Sequence, residues 1–500
     1  MEKAILVADF GTSKVHINLI EPGRGRVLYC VSRGYRTQIP RPGYAEIDPL
    51  EMWEAVQEGV GLAAENIPPG YKISGISFSY FGDSIMAVDQ NKRPLTNLIL
   101  AFDGRAKQQQ RELSGQIGET RYRQITGGLT SSDDTGAKIL WLKENAPDIY
   151  RQTKYYYTNQ QFILHKLGLI PYNDMTMASR KMLFDVRKKS WSKELTAYIG
   201  ISEESLGRTA KSGTIAGEIK AFGKVKFADS IPVVIGAHDC DCGMVGAGLD
   251  GRDRSTLVDI TGTWDHLGYI AKGMADTEIV VREKTMHTYC GPVEDSHVCL
   301  GAFPTSGAVV EWFMKQIVGS TSARAYQSMW DEIDFTRPGS EMFYPDFAVN
   351  RGKFTGLGLG TDKGKLFRAL IESLTFEARG IMEICEKSVN REFSTVCLGG
   401  GTAKAGKWAQ LRADVFGKPV AVLENTEISS LGAAVIAMNA LGIYSTIKEA
   451  ADHMVRVEQM FYPKESDRCL YHAKYAAYKG GKADGDSVDG CDDRCQKAGN

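Results

Sequence analysis

Short runs of alternating apolar and polar residues recur along the chain, with stretches of helical periodicity between them. The first apolar run, residues 5–8, leads to Asp9 and a Gly-Thr-Ser turn. In the next run every second residue from Val15 to Leu19 is apolar. Because side chains alternate between the two faces of a strand, this pattern predicts two strands joined in a hairpin, with a carboxylate close to the bend.

Similar patterns predict the other main elements. We expect strands at residues 72–81, 231–239, 255–263 and 393–399. We expect helices at residues 135–150, stopped near Pro147, at 363–387, capped by Asp362, and from about Lys404 onward. Strands that alternate with helices predict an α/β fold.

The first hairpin has a weak repeat near the middle of the chain. The segment "LVADFGTSKVHINLI" is echoed by "LVDITGTWDHLGYI", which places Asp9 and Asp259 half a chain apart. A repeat of this kind predicts two domains of similar architecture facing each other across a cleft. We expect a first domain at residues 1–249, a second at 250–476 and a disordered acidic tail at 477–500.

The composition of the chain limits the kinds of molecule that it is expected to bind. The 500 residues carry a formal net charge of −1 and contain no basic block, which argues against nucleic acid or an anionic membrane as the main partner. Apolar runs are too short for a membrane span, and the N-terminus does not resemble a signal peptide. The ten cysteines are scattered, mostly in apolar surroundings, as expected for reduced thiols. We therefore expect a soluble, cytoplasmic protein.

Two turns have the composition of phosphate-binding loops, Gly11-Thr12-Ser13 and Thr261-Gly262-Thr263. Glycine and threonine allow backbone N–H groups to converge on an anion, and the hydroxyls add donors. Asp9 could hold Mg²⁺ through water. The alternative for each turn is an ordinary hairpin bend, but the half-length repeat favours phosphate binding.

A run of three glycines at residues 399–401 joins a strand to a helix and would allow close approach of a nucleotide. The run does not fit the P-loop pattern, and a plain tight connection is the alternative.

Asp239 ends a buried strand and is a candidate general base, with Asp241 as its competitor and His238 as an orienting residue. Asp103 and Arg105, in "AFDGRAK", together with Asp83, are candidates for binding sugar hydroxyls. A surface salt bridge is the alternative for the Asp103–Arg105 pair.

Together these segments resemble the FGGY family of carbohydrate kinases over residues 3–470. Seven segments match that family in order: "DFGTSKVHINLI", "GYAEIDPLEMW", "TGAKILWLKENAPDIY", "NDMTMASRKMLFDVRKKSWSKEL", "GAHDCDCGMVGAGL", "DITGTWDHLGYI" and "GGGTAKAGKWAQLRADVFG". The resemblance implies two actin/ribonuclease H-like domains flanking an active-site cleft. It also implies MgATP-dependent phosphorylation of a sugar or polyol hydroxyl.

The resemblance implies a role for each candidate residue. Asp239 would be the catalytic base and would also contact the substrate and the metal, and Asp9 would serve Mg²⁺ and the phosphates. The sugar would bind at Asp83, Asp103 and Arg105. ATP would contact Gly11, Thr12, Ser13, Thr261, Gly262, Thr263, Gly400, Gly401 and Thr402.

The chain departs from the family pattern at several positions: Ala101, Asp133, Lys365, Leu370 and Ala405. "YFGDSIMAVD" and "TGTWDHLGY" resemble xylulose, fuculose and rhamnulose kinases more than glycerol kinases, so we expect a ketose substrate, either a pentulose or a 6-deoxyhexulose. The alternatives are a polyol or glycerol-type kinase, an actin-like ATPase and a silent sugar sensor. A homodimer is compatible with this interpretation.

Overall fold

The computed structural model divides into two compact units. Unit 1 comprises Met1–Arg254, Gly268–Leu300 and Glu427–Arg456, and unit 2 comprises Ser255–Leu267, Gly301–Thr426 and Val457–Asn500. The structure describes residues 1–252, 255–262, 264–273, 286–303, 306–335, 337–345 and 352–486, with the backbone only for Thr402 and for residues 483–486.

Strands are numbered in chain order. They are β1 Glu2–Phe10, β2 Lys14–Ile20, β3 Val27–Gly34, β4 Thr37–Gln38, β5 Glu46–Ile47, β6 Tyr71–Tyr80, β7 Met86–Val88, β8 Leu98–Ile99, β9 Tyr155–Tyr157, β10 Asn173–Asp174, β11 Phe184–Asp185, β12 Ser190–Trp191, β13 Thr209–Ala210, β14 Ile215–Phe222, β15 Val225–Val234, β16 Ala237–His238, β17 Thr256–Thr261, β18 Asp265–Ala271, β19 Met286–Cys290, β20 His297–Phe303, β21 Met342–Tyr344, β22 Lys353–Thr355, β23 Thr395–Gly399, β24 Val420–Leu423 and β25 Val457–Phe461.

Helices are numbered in the same way. They are α1 Pro49–Glu65, α2 Lys107–Ile117, α3 Glu119–Thr126, α4 Thr135–Asn145, α5 Pro147–Gln152, α6 Asn159–Lys166, α7 Met175–Arg180, α8 Lys193–Ile199, α9 Asp239–Gly246, α10 Gly307–Phe313, α11 Ala323–Glu332, α12 Lys363–Val389, α13 Gly406–Phe416, α14 Ile428–Ala440, α15 Ile447–Met454 and α16 Glu465–Asp486.

The main sheet of unit 1 has the strand order β14-β15-β6-β1-β2-β3, and β16 also pairs with β6. Strands β1 and β2 form the predicted hairpin, with Asp9 opposite His16. β6 runs parallel to both β1 and β16. Because the carboxyl ends of parallel strands meet at one edge of a sheet, the residues that follow β1, β6 and β16 share that edge.

Helix α14 packs on the main sheet of unit 1, although it lies late in the chain. Asn18, on the predicted polar side of β2, is fully buried, and its amide donates a hydrogen bond of 2.9 Å to the hydroxyl of Ser430 in α14. Alternation alone did not predict this burial, because the covering helix comes from a segment far away in the sequence.

Unit 2 contains four neighbouring strands of a second sheet, in the order β17-β23-β24-β25. β17, β23 and β24 are parallel, and β25 is antiparallel to β24. Helix α12 begins as predicted, because the Asp362 side chain accepts the backbone N–H of Lys365 at 2.9 Å. Its apolar side is buried, including Leu370 and Leu374.

The predicted tail lies partly in a helix. α16 extends to Asp486, whereas Cys491, Cys495 and the rest of the tail lie outside the described residues. The sequence-based domain boundaries stay a prediction. In the part of the chain that the structure describes, no helix is long and apolar enough to cross a membrane.

Candidate active site

Asp9 lies at the end of β1, on the edge of the main sheet of unit 1, and is half-buried. Its carboxylate accepts a hydrogen bond of 3.0 Å from the hydroxyl of Ser430. Burial raises the pKa of Asp9 to about 7, and the nearby charge of Asp239 acts in the same direction. Asp9 at the end of β1 and Asp239, which follows β16, are therefore close enough for their charges to interact.

Asp83 follows β6 at the same edge and has a left-handed backbone conformation, with φ of 56°. Its carbonyl oxygen accepts a hydrogen bond of 2.7 Å from the ammonium group of the fully buried Lys138. A side chain on the preceding Gly82 would collide with His238, because its Cβ would lie 2.5 Å from the imidazole Cδ2. The loop that carries Asp83 thus packs directly beside the residue that precedes Asp239.

Asp239 and Asp241, the two candidates for the base, have different surroundings. Asp241 is fully buried and pairs with the guanidinium of Arg180 at 2.9 Å. The side chain of Asp239 is 34% exposed, and its Oδ1 accepts the backbone N–H of Cys240 at 2.6 Å. His238 lies between them, with Nδ1 at 3.1 Å from Asp239 Oδ1 and 3.2 Å from Asp241 Oδ2. This arrangement leaves Asp239 accessible and gives Asp241 a structural partner.

Asp103 and Arg105 form a buried pair in unit 1, so the surface salt bridge considered above does not describe them. Asp103 accepts Arg105 Nε at 2.8 Å and Nη2 at 2.7 Å, and also the backbone N–H of Ala45 at 2.6 Å. The guanidinium lies 4.2 Å from the ring centre of Tyr44 and 5.0 Å from that of Trp141. Asp103 thus holds Arg105 in a fixed orientation.

The first turn, Gly11-Thr12-Ser13, is exposed at Thr12 and Ser13. The backbone N–H of Gly11 donates to the carbonyl of Lys14 at 2.9 Å, which closes the hairpin. The carbonyl of Thr12 accepts the hydroxyl of Thr37 at 3.2 Å. These bonds anchor the turn while the two hydroxyl side chains remain accessible to a ligand.

The second turn, in unit 2, is held differently. Thr261 is buried, and its hydroxyl contacts Arg412 Nη2 at 2.7 Å, so contact with a phosphate would come from the backbone of Thr261 and Gly262. Asp259, the counterpart of Asp9, is fully buried against Arg412 Nε at 2.8 Å. Thr263 lies outside the described residues.

The glycine run lies next to the second turn in unit 2. Gly400 has φ of 87°, and a Cβ on it would lie 2.5 Å from the carbonyl oxygen of Thr261, so glycine is required for this close approach. Beyond it is a cavity of about 440 Å³, lined by Gly401, Trp408 and Trp330 among others. This volume is within the range of small-molecule sites. Of Thr402, a predicted contact, the structure describes only the backbone.

Two of the cavities that are larger than this one, of about 680 and 570 Å³, lie in unit 1. Neither is lined by Asp9, Asp83 or Asp239. Their larger volume therefore does not make them candidates for the active site, because an active site must contain the reactive side chains.

Asp9 and Asp239 fit a hard divalent cation. Both offer carboxylate oxygens, the ligand type that Mg²⁺ prefers. Burial and the charge of Asp239 raise the pKa of Asp9, and a bound cation would counteract this by stabilising the ionised carboxylate. His238, Asp239 and Cys240 also place possible ligand atoms within 4.8 Å of one another. Burial raises the pKa of the Cys240 thiol, which disfavours the thiolate needed for a soft-metal site.

Comparison with known proteins identifies the family. The chain matches the model of the N-terminal domain of the FGGY family of carbohydrate kinases over residues 4–246, and that of the C-terminal domain over residues 258–441. The chain belongs to the FGGY family of carbohydrate kinases. It is therefore an enzyme that transfers a phosphoryl group to a sugar, with ATP as the donor.

This kinase is 25% identical to the xylulose kinase of Staphylococcus epidermidis over 494 residues, 96% of each chain. It is also 25% identical to glycerol kinase 2 of Saccharolobus solfataricus over 501 residues, which cover 95% of this chain and 97% of that protein. The crystal structure of ligand-bound xylulose kinase from Lactobacillus acidophilus superposes with a TM-score of 0.85 at 22% identity, covering 96% of this chain and 98% of that one. The predicted fold of two actin/ribonuclease H-like domains is confirmed.

Several residues around the candidate site were not singled out from the sequence. Lys138, Arg180 and Arg412 are cations that are nearly or fully buried, and each contacts a predicted site residue or its neighbour. The signal in the sequence was weak, because a lysine or arginine in a helical segment is usually exposed. Arg412 lies four residues after Trp408, a spacing that places the two residues on one helix face.

Proposed function

We propose that this kinase phosphorylates a ketose, a pentulose or a 6-deoxyhexulose, with MgATP as the donor and Asp239 as the general base. The observation that carries the assignment of the base is the contrast between Asp239, which is partly exposed, and Asp241, which is buried and paired with Arg180. A base must reach the hydroxyl of its substrate, and only Asp239 of the two is accessible.

Asp239 would accept the proton of a sugar hydroxyl as the hydroxyl oxygen bonds to the γ-phosphorus. The bond between that phosphorus and the bridging oxygen of ADP breaks, and ADP leaves with the electron pair. Mg²⁺, held with Asp9 and Asp239, would neutralise charge on the phosphoryl oxygens. His238 and the backbone N–H of Cys240 orient the Asp239 carboxylate.

Asp83, Asp103 and Arg105 are the proposed sugar-binding groups. The loop that carries Asp83 packs beside His238 at the sheet edge, and Arg105 is fixed by Asp103 and Tyr44. Fixed charged groups suit hydroxyl recognition, because little further ordering is needed when the ligand binds. Gly400 and Gly401, beside the cavity in unit 2, are the proposed contacts of the nucleotide. The turn at residues 11–13 of unit 1 and the turn at Thr261 and Gly262 of unit 2 are each a proposed phosphate-binding turn.

The ketose preference is supported by similarity to xylulose kinases over nearly the whole chain. A glycerol-type kinase is the second candidate, since glycerol kinases match over a comparable length at similar identity. A ketose kinase and a glycerol-type kinase differ in the molecule that accepts the phosphoryl group, so assays with a panel of substrates distinguish them.

The test measures ADP release with MgATP and a panel of ketoses, aldoses and polyols. We expect stimulation by a ketose and little by glycerol. Asp239→Asn should lower kcat by at least about 100-fold, the contribution expected of a general base, while ATP affinity measured calorimetrically changes little. Asp229→Asn, an exposed aspartate of β15, is the matched control and should retain full activity.

Near-normal turnover by Asp239→Asn would refute the assignment of the base. Stimulation by glycerol alone would favour the second candidate. Sugar-independent hydrolysis would support an ATPase, and sugar binding without turnover would support a sensor. Either of these two results would contradict the proposed kinase reaction.

A further inference from the structure

A buried cluster of charged groups lies behind the second phosphate turn in unit 2. Arg412, Asp259 and Asp265 have no exposed surface, and Thr261 is 1% exposed. Arg412 contacts Asp259 Oδ2 through Nε at 2.8 Å and Asp265 Oδ2 through Nη2 at 2.9 Å. The Thr261 hydroxyl lies 3.1 Å from Asp259 and 3.2 Å from Asp265. One guanidinium therefore contacts residues on both sides of the turn.

The same guanidinium contacts the wall of the proposed nucleotide cavity. Arg412 and Trp408 lie one helical turn apart in α13, and the guanidinium carbon is 4.6 Å from the centre of the indole ring. Trp408 lines the cavity of about 440 Å³, and its indole N–H donates to the hydroxyl of Thr375 at 2.9 Å. Arg412 thus connects Trp408, in the wall of this cavity, to Thr261 in the second turn through direct contacts.

The geometry requires arginine rather than a generic cation. A planar guanidinium can contact two carboxylates and a hydroxyl along its edge while an aromatic ring packs on its face, whereas an ammonium group is a single point of charge. Burial, together with the nearby charge of Asp259, raises the pKa of Asp265, so a proton retained there would bring the cluster close to neutrality.

The cluster also gives Asp259 different surroundings from Asp9, its counterpart in the repeat. Asp9 is half-buried and its neighbour at the sheet edge is Asp239, whereas Asp259 is covered by Arg412. A carboxylate already paired with a buried guanidinium is a poor ligand for Mg²⁺, which takes few carboxylates and keeps its own waters.

We propose that Arg412 is a positioning residue for phosphoryl transfer, which holds the turn after Thr261 in register with the nucleotide cavity. Asp259 and Asp265 serve as its anchors and not as metal ligands. This inference rests on the proposed function for its kinetic consequences, since the turn matters because it would bind the phosphates of ATP. Arg412 itself does not touch the reacting atoms.

The experiment compares two variants of the full-length kinase with a matched control. Arg412→Lys keeps the charge but not the planar fork. The triple variant Arg412→Met, Asp259→Asn, Asp265→Asn removes the guanidinium and both carboxyl groups together, so that no buried ion is left without a partner. The control is Lys474→Met with Glu372→Gln, which removes a buried ion pair elsewhere in unit 2.

Both Arg412 variants should lower kcat/KM for ATP, by about 10-fold for Arg412→Lys and about 100-fold for the triple variant, as expected when a reacting group is slightly misplaced. KM for the sugar should change less than about two-fold, because the sugar-binding groups are untouched. The control pair should change thermal stability but not KM for ATP. Hydrogen exchange of β17 and the following turn should be faster in both Arg412 variants than in the wild type.

Wild-type values of kcat and KM for ATP in the triple variant would overturn the inference. So would a loss of kcat/KM in the control pair equal to that in the Arg412 variants, because a general loss of stability would then explain both. The exchange measurement does not depend on turnover, and neither does ATP affinity measured by calorimetry, which should be lower in both Arg412 variants than in the wild type. If the wild type phosphorylates no sugar, the proposed function fails, while these two measurements still decide the role of Arg412.

Discussion

Lys181 is a cation buried in unit 1 and held by uncharged oxygens. It is 1% exposed, and its ammonium group donates to the carbonyl of Tyr156 at 2.6 Å, the amide oxygen of Gln161 at 3.0 Å and the carbonyl of Leu206 at 3.4 Å. Burial lowers the pKa of Lys181 to about 7. At neutral pH this residue therefore stands near its own titration point in the folded protein.

This shift predicts a pH-dependent stability. Between pH 7 and pH 10 the unfolded chain retains a proton on Lys181 that the folded protein releases, so the free energy of unfolding rises with pH in that window. The test compares the wild type with Lys181→Met by unfolding in urea. The free energy of unfolding of the wild type, relative to that of the variant, should rise by up to about 1.4 kcal/mol for each pH unit in this window. The exposed Lys193→Met should show no such trend. A pH-independent difference for Lys181→Met would contradict the assignment.

At the scale of elements, the crossing of α9 and α14 positions two acids of unit 1. α9 begins with Asp239, and α14 carries Ser430, whose hydroxyl donates to Asp9. The helices approach closely at two glycines, because a Cβ on Gly246 would lie 1.9 Å from the carbonyl oxygen of Ile428, and one on Gly432 would lie 1.8 Å from that of Cys242. Any side chain there would push the helices apart.

We expect Gly432→Ala to lower the free energy of unfolding by about 1–3 kcal/mol, the usual cost of overpacking, and to reduce kcat as Asp239 moves. Gly115→Ala is the matched control, because this glycine lies in α2 with open space around its Cβ position. The control should be stabilised by up to about 1 kcal/mol through its higher helix propensity. Chemical denaturation and steady-state kinetics check both variants, and wild-type stability for Gly432→Ala would show that the crossing tolerates a methyl group.

At the scale of the whole molecule, each unit is assembled from separate parts of the chain. Unit 1 takes Gly268–Leu300 and Glu427–Arg456 in addition to its N-terminal segment. The late segment includes α14, which covers Asn18 and contacts α9. A fragment that ends near residue 249 would lack these contacts and expose the apolar surface that they cover.

A fragment of residues 1–249 should therefore lack a cooperative thermal transition in calorimetry. A chain that joins the three segments of unit 1 through flexible Gly/Ser linkers should recover one, because the linkers restore the missing contacts at modest entropic cost. A cooperative transition in the short fragment would show that the N-terminal segment folds without α14, as the sequence-based boundary at residue 249 implies.

Features that depend on neighbours along the chain follow from the sequence alone. The hairpin around Asp9, the strands that lead to Asp83 and Asp239, and the cap of α12 by Asp362 follow from periodicity and local hydrogen bonding. The seven ordered segments also resemble the FGGY family, to which the chain belongs.

Which carboxylates are accessible to a ligand depends on tertiary contacts. Asp9 and Asp259 occupy equivalent places in the repeat, yet Asp259 is covered by Arg412, which is distant in sequence. Asp239 and Asp241 differ by two residues, yet only Asp241 meets Arg180. The state of a carboxylate depends on burial and on the nearest charge, and both are set by segments that the fold brings together and that local patterns along the chain do not predict.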